Sequence, residues 1–299
     1  MKKVIAIVGP TASGKTALAV SLAKNLQTEI ISADSRQFYQ EMTIGTAVPE
    51  PEELATAKHH FIQHKSIFEP YTVGDFEPDF LQLSNTLFQI KDTVILVGGS
   101  GLFIDAACQG LDDLPGRNQE LRHALTSELN KNGLAALQQR LKALDADYYQ
   151  KIDRQNPHRL IRAIEILQQS GGKKMSELQQ QNKAKRNFET IYIGLNTDRQ
   201  KLYDRINKRV DLMLQKGLLE EAKALYPYKD LNALNTVGYK ELFQYFDEQI
   251  ELDFAISEIK KNTRRFAKRQ LTWFRKNKAI HWFDIDYDLE QILELVHNR

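Results

Sequence analysis

A glycine-rich segment near the start of the chain constrains its fold more than any other feature. Residues 9–16 read GPTASGKT and match the pattern G-x-x-x-x-G-K-[ST] in full. The segment follows an apolar run from Val4 to Val8 and precedes a helical pattern from Thr16 to Asn25, which is the context that a phosphate-binding loop requires. A second β-rich run, Glu29 to Ser32, completes a βαβ beginning, so we predict an α/β fold on a parallel sheet.

This loop is suited to bind a di- or triphosphate. Its glycines let backbone N–H groups turn toward an anion, and the start of the following helix adds a partial positive charge. Lys15 supplies a point charge and the hydroxyl of Thr16 is a ligand for Mg²⁺, so we predict Mg²⁺ as the cofactor and Thr16 as its ligand. The predicted diphosphate-binding residues of the loop are Gly9, Pro10, Thr11, Ala12, Ser13, Gly14, Lys15 and Thr16.

The rest of the chain divides into sheet-forming and helical parts. The apolar, β-branched runs Thr93 to Val97 and Thr190 to Leu195 are typical of buried strands in a parallel sheet. Between them, leucines and isoleucines recur at spacings of three and four residues, which indicates helices. We therefore predict a P-loop core made of residues 1–115 and 189–299, with a mainly helical insertion domain at 116–188.

The last third of the chain is predicted to be mostly helical. A long amphipathic helix runs from Asp198 to Tyr226, with an interruption at Gly217, and Pro227 ends it. A second helical stretch extends from Phe254 to Lys276, and a short β-like run follows. Before these helices, the polar stretch Gln179 to Arg186 is predicted to be a linker or an exposed helix.

Composition indicates an ordinary globular enzyme. The 299 residues are 42% hydrophobic and 27% charged, which is enough for a sizeable core. The first apolar run is too short for a signal peptide or a membrane span, so we expect a cytoplasmic protein with no membrane partner. We also expect a monomer. Cys108 is the only cysteine, which excludes an internal disulfide, and we expect it to be buried. Adjacent His59 and His60 lack a third ligand at suitable spacing, so we expect no metal there.

The loop by itself does not identify the phosphate. NTPases and kinases with this loop need a second carboxylate for Mg²⁺ at the end of another strand. The strand that ends at Val97 runs into Gly98 and Gly99 instead, although Asp34 after the second strand could serve as the metal carboxylate. An ATP-dependent P-loop kinase of a small molecule and a non-catalytic RNA-binding protein therefore both stay open as alternatives.

Further motifs follow the loop in a fixed order. After the second strand the chain reads SADSRQ from Ser32 to Gln37. The later motifs are Gly45 to Ala47, His59-His60, Tyr71 to Phe76, Gly98 to Phe103, Asn156 to Ala163, Gly217-Leu218, Val237 to Glu241 and Thr263 to Phe274. From about residue 5 to 276, these motifs resemble those of the tRNA dimethylallyltransferase family. Ser100 and Phe103 stand where that family more often has Thr and Tyr, and Ser100 keeps the hydroxyl.

The resemblance implies a prenyl transfer. N6 of adenosine 37, beside the anticodon of tRNA, would attack the first carbon of dimethylallyl diphosphate and release diphosphate. Because the attacking nitrogen develops positive charge, a carboxylate must accept its proton, and Asp34 is the candidate base. Lys15, Thr16 and Mg²⁺ would stabilise the charge that gathers on the leaving diphosphate. The implied catalytic residues are Asp34, Thr16 and Arg205.

Two arginines on a predicted helix add to this diphosphate site. Arg205 and Arg209 are four residues apart, so they project from one face of the helix. Guanidinium groups suit the oxygens of a diphosphate, and the resemblance supports Arg205 more strongly than Arg209. The alternative for both is a solvated helix face.

The resemblance also implies a set of residues that bind the anticodon stem-loop of tRNA. Base-modifying enzymes extrude the target base from its stack, and glutamine suits adenine edges whereas arginine suits phosphates. For Arg162, a salt bridge on a helix surface stays open as an alternative. The implied tRNA-binding residues are Asp34, Ser35, Arg36, Gln37, Ser100, His158, Arg159, Leu160, Ile161, Arg162, Arg264, Lys268 and Arg269.

A basic run near the end of the chain indicates a surface for phosphates. Nine basic residues and no acidic ones lie between Lys260 and Lys278. On a helix, we expect Phe266, Trp273 and the intervening stripe of Ala267 and Gln270 to face inward and the charges to face outward. Such a surface would bind RNA with an affinity that falls steeply with salt, and a solvated helix is the alternative.

Overall fold

The computed structural model describes residues 1–179 and 185–298, and the chain divides into two compact units. The larger consists of Met1–Cys108 and Arg186–Arg299, and the smaller of Gln109–Lys185. The sequence predicts the helical insertion at 116–188, and the smaller unit begins before that range. Residues 180–184, the middle of the predicted linker from Gln179 to Arg186, lie outside the described residues.

A six-stranded sheet forms the centre of the larger unit, and all its neighbouring strands pair in parallel. The predicted α/β fold on a parallel sheet is confirmed. The strand order is β3-β2-β4-β1-β5-β6. The strands are β1 (Lys3–Val8), β2 (Ile30–Ser32), β3 (His59–His60), β4 (Thr93–Gly98), β5 (Glu189–Asn196) and β6 (Ile280–Asp284).

Both faces of this sheet are buried. On β1, Val4, Ala6 and Val8 belong to one core cluster, whereas Ile5 and Ile7 belong to the cluster on the opposite face. Successive side chains of a strand point to opposite faces, so a strand that is covered on both sides must be apolar throughout. This is why the run from Val4 to Val8 contains no polar residue.

Helices cover the sheet and build the smaller unit. The helix predicted from Asp198 onward is interrupted at Gly217, which has a φ of 99°, and Pro227 lies in a 3₁₀ turn at its end (Tyr226–Tyr228). A second 3₁₀ turn spans Asn232–Leu234. The helices are α1 (Lys15–Asn25), α2 (Pro51–Thr56), α3 (Val73–Leu87), α4 (Gly101–Gln109), α5 (Gln119–Leu144), α6 (Ala146–Lys151), α7 (Pro157–Gln169), α8 (Met175–Leu178), α9 (Arg199–Gln215), α10 (Leu218–Leu225), α11 (Tyr239–Phe246), α12 (Leu252–Phe274) and α13 (Leu289–His297).

Two of the sequence motifs are helix starts. Thr72 precedes α3, and its hydroxyl and the Asp75 carboxylate form a reciprocal capping box. Asn156 precedes α7, where its side chain accepts a hydrogen bond from the Arg159 N–H and Pro157 occupies the first turn. These residues therefore have a structural use in addition to any role in binding.

Two further expectations from the sequence concern a membrane-spanning helix and the burial of Cys108. Within residues 1–179 and 185–298, no helix combines the length and the apolarity needed to cross a bilayer. Cys108 is buried, as predicted. Burial raises the pKa of its thiol to about 12, so the side chain behaves as a small apolar group.

A buried carboxylate organises the smaller unit. Glu165 on α7 has a fully buried side chain and binds Arg122 on α5 (2.9 Å) and Arg162 on α7 (2.8 Å). It also accepts a hydrogen bond from the Asn118 N–H (2.7 Å). Burial pushes the pKa of Glu165 upward, but these hydrogen bonds outweigh it and bring the pKa below its ordinary value.

Replacing Glu165 with Gln should destabilise the protein by about 2 kcal/mol, because two arginines would lose their shared counter-charge. Stability that depends on the lowered pKa is present above the ordinary glutamate pKa and lost as pH falls through the folded value, so the difference from wild type should shrink in acid. Urea unfolding followed by circular dichroism at several pH values measures both effects. The control is Glu128→Gln, which removes the more exposed pair with Arg140. Equal losses in the two variants would contradict the prediction.

Candidate active site

Three loops emerge side by side at the carboxyl edge of the sheet. In the register of the strands, Val8 lies beside Gly98, and Ser32 lies beside Val97. After β1 the chain continues into the phosphate-binding loop, after β2 it reaches Asp34, and after β4 it reaches Ser100. Ligands of open parallel sheets bind at this edge, so the fold places these predicted groups where a ligand site is expected.

The phosphate-binding loop has a backbone that only a few residue types adopt. Gly9 and Gly14 have φ values of 147° and 90°, and Ala12 has a φ of 64°. A Cβ on residue 9 would lie 2.5 Å from the Leu195 carbonyl oxygen, so only glycine fits there. Ser13 Oγ is buried and makes no hydrogen bond within the part of the chain that the structure describes. A buried hydroxyl without a partner is rare, and it fits a site whose ligand would accept its hydrogen bond.

Lys15 lies against its own loop. Its Nζ donates a hydrogen bond to the Pro10 carbonyl oxygen (2.7 Å). Burial lowers the pKa of Lys15 to about 8; Asp34 acts against this shift and Arg209 adds to it. The positive charge is therefore held at a cost, and an anionic ligand would relieve that cost.

Helix α9 brings both predicted arginines to the loop. Arg205 Nε donates to the Ala12 carbonyl oxygen (2.8 Å), and an Nη atom of Arg209 lies 3.5 Å from Thr11 Oγ1. Burial lowers the pKa of Arg209, although nearby Asp34 and Glu53 raise it. Arg205 thus supports the loop backbone, whereas Arg209 lines the cavity that the loop opens into.

Asp34 lines the same cavity as Lys15 and Thr16. Its Oδ1 accepts a hydrogen bond from the Arg36 N–H (3.0 Å), which fixes the direction of the carboxylate. The neighbouring Ser35 N–H donates to Ser100 Oγ (3.1 Å), which joins the loops after β2 and β4. The carboxylate and the phosphate-binding loop therefore contribute to one cavity.

The side chains of Arg36 and Gln37 bind neighbouring backbone. Arg36 donates to the carbonyl oxygens of Asn232 (3.0 Å) and Ala233 (2.9 Å). Gln37 Nε2 donates to the carbonyl oxygen of Ala47 (2.8 Å). Burial lowers the pKa of Arg36, although Tyr39 and Asp34 raise it. Both residues thus hold loops at the rim of the cavity, a use that the sequence does not predict.

The cavity itself has a volume of about 610 Å³ and is lined entirely by the larger unit. This volume lies in the range of small-molecule sites, roughly 300 to 1,000 Å³. Thr16 and Asp34 contribute a hydroxyl and a carboxylate, which are the oxygen donors that Mg²⁺ takes. The predicted site residues that line it are Thr11, Lys15, Thr16, Asp34, Ser35, Arg36, Gln37, Ser100, Arg209 and Arg269.

Comparison with known proteins identifies the family that has this architecture. A family model described as IPP transferase matches residues 37–277, which is more than half of the chain. The chain belongs to the IPP transferase family. It is 56% identical over 295 residues to the tRNA dimethylallyltransferase of Christiangramia forsetii, with 99% of this chain and 97% of that protein covered.

Solved structures of IPP transferases have the same fold. The tRNA isopentenylpyrophosphate transferase of Bacillus halodurans is 38% identical, with a TM-score of 0.73 and coverage of 100% of this chain and 95% of that one. A eukaryotic dimethylallyltransferase acting on tRNA is 27% identical, with a TM-score of 0.84 and coverage of 100% and 80%. The chain thus resembles family members along its whole length.

Five predicted residues of this IPP transferase lie in the smaller unit, on α7. His158 and Arg159 are exposed, so both are available to a large ligand. The side chains of Leu160 and Ile161 are buried in the core of the unit, where they pack against neighbouring helices, and their contact with RNA stays a prediction. Arg162 pairs with Glu165 and donates to the Pro115 carbonyl oxygen (2.9 Å), which is the salt-bridge alternative.

Helix α12 carries the basic run, and its orientation corrects one expectation. Ala267 and Gln270 are buried as predicted, but Phe266 and Trp273 are 40% and 38% exposed. Both aromatic residues line the cavity, which is open at that point. Lys268 and Arg269 are exposed, whereas Arg264 donates to Asn207 (2.7 Å) on α9.

Two polar residues of the site were not predicted from the sequence. Glu221 on α10 accepts hydrogen bonds from the N–H groups of Ile44 (2.8 Å) and Gly45 (2.9 Å) and from the Tyr239 hydroxyl (2.7 Å), which holds the loop that Gln37 also binds. Gln270 on α12 is buried against the phosphate-binding loop. The signal that could have revealed Gln270 is a polar residue on the apolar stripe of a helix.

Replacing Lys15 with Met should stabilise the ligand-free protein by about 1 kcal/mol or more, because a desolvated charge is removed, and should abolish diphosphate binding. Since Lys15 is neutral in the folded state above pH 8 but still charged in the unfolded state, wild type should regain stability as pH rises toward the ordinary lysine pKa. Thermal unfolding from pH 7 to 10 and calorimetric titration with diphosphate measure these effects. Lys24→Met, on the exposed face of α1, is the control and should change neither. A Lys15→Met protein less stable than wild type at pH 7 would contradict this account.

Proposed function

We propose that this chain transfers a dimethylallyl group from dimethylallyl diphosphate to N6 of adenosine 37, beside the anticodon of tRNA, and releases diphosphate. The observation that carries the proposal is that Asp34 shares one cavity with Lys15 and Thr16. A group that takes a proton therefore faces the groups that take a leaving diphosphate. The relatives named above, which are transferases of this kind, support the same reaction.

The diphosphate end of the reaction uses the phosphate-binding loop. The loop amides, Lys15 and Arg209 supply positive charge where the carbon–oxygen bond breaks and negative charge gathers. Arg205 contributes by holding the Ala12 carbonyl oxygen, so it keeps the loop in shape. Mg²⁺ usually binds through one or two protein oxygens together with substrate phosphates and water. Thr16 would hold it here, with the diphosphate, and it would neutralise charge on the leaving group.

The adenine end of the reaction uses Asp34. N6 loses a proton as it forms the new carbon–nitrogen bond, and the Asp34 carboxylate accepts that proton. Ser35 and Ser100 lie beside it and hold the loops that surround the extruded base. Arg36 and Gln37 contribute to tRNA binding by keeping the rim loops in place, since their polar groups already bind backbone carbonyl oxygens.

The rest of the tRNA is bound through basic surfaces. Lys268 and Arg269 on α12 are exposed and suit backbone phosphates, as do His158 and Arg159 on α7. Arg264 is held by Asn207, so we assign it to support of this surface. The protein is proposed to act as a cytoplasmic monomer.

A phosphoryl-transfer activity is the competing function, and one experiment separates the two. The protein is incubated with Mg²⁺, tRNA and either labelled dimethylallyl diphosphate or labelled ATP, and the RNA is digested to nucleosides. Prenyl transfer places the label from dimethylallyl diphosphate on an adenosine. Label transferred only from ATP, or ATP hydrolysis without any need for RNA, would refute the proposed function.

Replacing Asp34 with Asn should lower turnover by about 10² or more, because the base is lost, while tRNA binding stays near wild type. Asparagine keeps an acceptor for the Arg36 N–H, so the loop should hold its shape; Asp34→Ala tests the same loss without that acceptor. Single-turnover prenylation and filter binding measure the two quantities. Asp92→Asn, which lies at the opposite edge of the sheet before β4, is the control. Unchanged turnover in Asp34→Asn would remove the residue from this role.

Replacing Lys268 and Arg269 together with Ala should weaken tRNA binding and make it less sensitive to salt. The slope of log affinity against log salt should become less negative by about 1.5, since each lost phosphate contact accounts for roughly 0.7 to 0.9. Filter binding of tRNA at salt concentrations from about 50 to 200 mM measures this slope. Lys24→Ala on α1 is the control for loss of a basic side chain outside the proposed tRNA surface. An unchanged slope would show that these side chains are only solvated.

A further inference from the structure

Gln270 is a buried polar side chain to which the proposed reaction assigns no role. Its amide joins two loops at the carboxyl edge of the sheet. Oε1 accepts a hydrogen bond from the Thr11 N–H (2.9 Å), and Nε2 donates one to the Gly99 carbonyl oxygen (3.0 Å). Only this orientation of the amide satisfies both neighbours. One residue of α12 therefore ties the phosphate-binding loop to the loop that follows β4.

The close approach of Gln270 depends on a glycine. A Cβ on residue 99 would lie 2.3 Å from Gln270 Nε2, so no larger residue fits there without displacing the amide. Glycine is therefore required at position 99 for steric reasons, independently of the phosphate-binding motif. The Gln270 amide is closely surrounded both by the phosphate-binding loop and by the loop after β4.

The peptide unit between Pro10 and Thr11 is held at both ends. Its carbonyl oxygen accepts a hydrogen bond from Lys15 Nζ (2.7 Å), and its N–H donates to Gln270 Oε1. Two residues further along the loop, the Ala12 carbonyl oxygen accepts a hydrogen bond from Arg205 (2.8 Å). When Lys15 turns from the loop to a bound phosphate, it releases the Pro10 oxygen. The Pro10 oxygen then keeps only the longer hydrogen bond from the Ser13 N–H of the same loop (3.3 Å) among the described residues, and Gln270 is the tether that another element of the fold supplies to this peptide.

We propose that Gln270 is a positioning residue that keeps the phosphate-binding loop in its anion-binding shape, both before and after the diphosphate enters. This inference rests on the proposed function, since it assigns a residue to the diphosphate site of that reaction. Loop amides must converge on the anion, so a peptide held by another element does not have to be ordered during binding. The same preorganisation serves the leaving group as its charge develops.

The first test is binding of inorganic diphosphate with Mg²⁺, measured by calorimetry on the full chain without RNA. Gln270→Met keeps most of the volume and removes both hydrogen bonds, so the Kd should rise about tenfold, the scale of one lost buried hydrogen bond. In the prenylation assay its KM for dimethylallyl diphosphate should rise by a similar factor while its KM for tRNA stays unchanged. A merely structural defect would affect both substrates.

The matched control is Thr272→Ala on the same helix. Thr272 is exposed, and its hydroxyl donates a hydrogen bond to the Lys268 carbonyl oxygen of the same helix (2.9 Å). This variant should bind diphosphate and both substrates as wild type does. Thermal unfolding of all variants shows whether a change in binding follows a change in stability.

The second test is Gln270→Glu, which also decides the question if Gln270→Met does not fold. A protonated glutamate both donates and accepts, so it can replace the amide, whereas an ionised one cannot donate to the Gly99 oxygen and repels the diphosphate. Because position 270 is buried, the pKa of a glutamate there is raised into this range, so the ratio of its Kd to that of wild type should fall, on the order of tenfold, as pH drops from 8 to 5.5. Lys15, Asp34 and Arg209 line the cavity in both proteins, and the ratio removes their shared contribution and that of the titrating diphosphate.

The outcomes separate this inference from the proposed function. Wild-type affinity for diphosphate in Gln270→Met, or a pH-independent ratio for Gln270→Glu, would overturn the role of Gln270. If wild type fails to prenylate tRNA although Gln270→Met still loses diphosphate affinity, the positioning role stands and the proposed reaction falls. If prenylation occurs and Gln270→Met behaves as wild type in both assays, the proposed reaction stands and the positioning role of Gln270 falls.

Discussion

The close approach of strand ends at the carboxyl edge of the sheet is the constraint on which the site depends. A Cβ on Gly98 would lie 2.4 Å from the Ala33 carbonyl oxygen, and one on Gly9 would lie 2.5 Å from that of Leu195. Glycines at these two places let the backbones of four neighbouring strands approach closely where β1, β2 and β4 end. The loops that carry Lys15, Asp34 and Ser100 consequently open into one cavity, and each loop supports the next.

The positive charges in this cavity are partly removed from water, which destabilises them. The pKa values of Lys15 and Arg209 are both lowered by burial, and Asp34 offsets part of that cost. Such an arrangement is unfavourable in the empty protein and favourable around an anion. The strained Ala12, with a φ of 64°, belongs to the same loop, as does the Ser13 hydroxyl, which has no partner among the described residues. The apolar sheet, buried on both faces, supplies the stability that allows these features.

Sequence patterns were reliable where a short segment carries its own physical reason. The βαβ start, the interruption at Gly217 and the burial of Cys108 are confirmed. Patterns were less reliable for side-chain direction. Helical spacing placed Phe266 and Trp273 inside, but periodicity does not report that the neighbouring loops leave a cavity there. Arg36 shows the same limit, since its three carbonyl partners lie about 200 residues further along the chain.

By itself, the sequence determined the phosphate-binding loop, the parallel sheet and the pairing of a carboxylate with a lysine as candidate chemistry, because each depends on local spacing or on a motif. Only the tertiary structure decided that Gln270 holds Thr11, that Glu221 holds the Gly45 loop and that Arg162 neutralises Glu165. Those contacts join residues from separate elements, and a buried polar group finds its partner through packing in three dimensions, which no local pattern encodes.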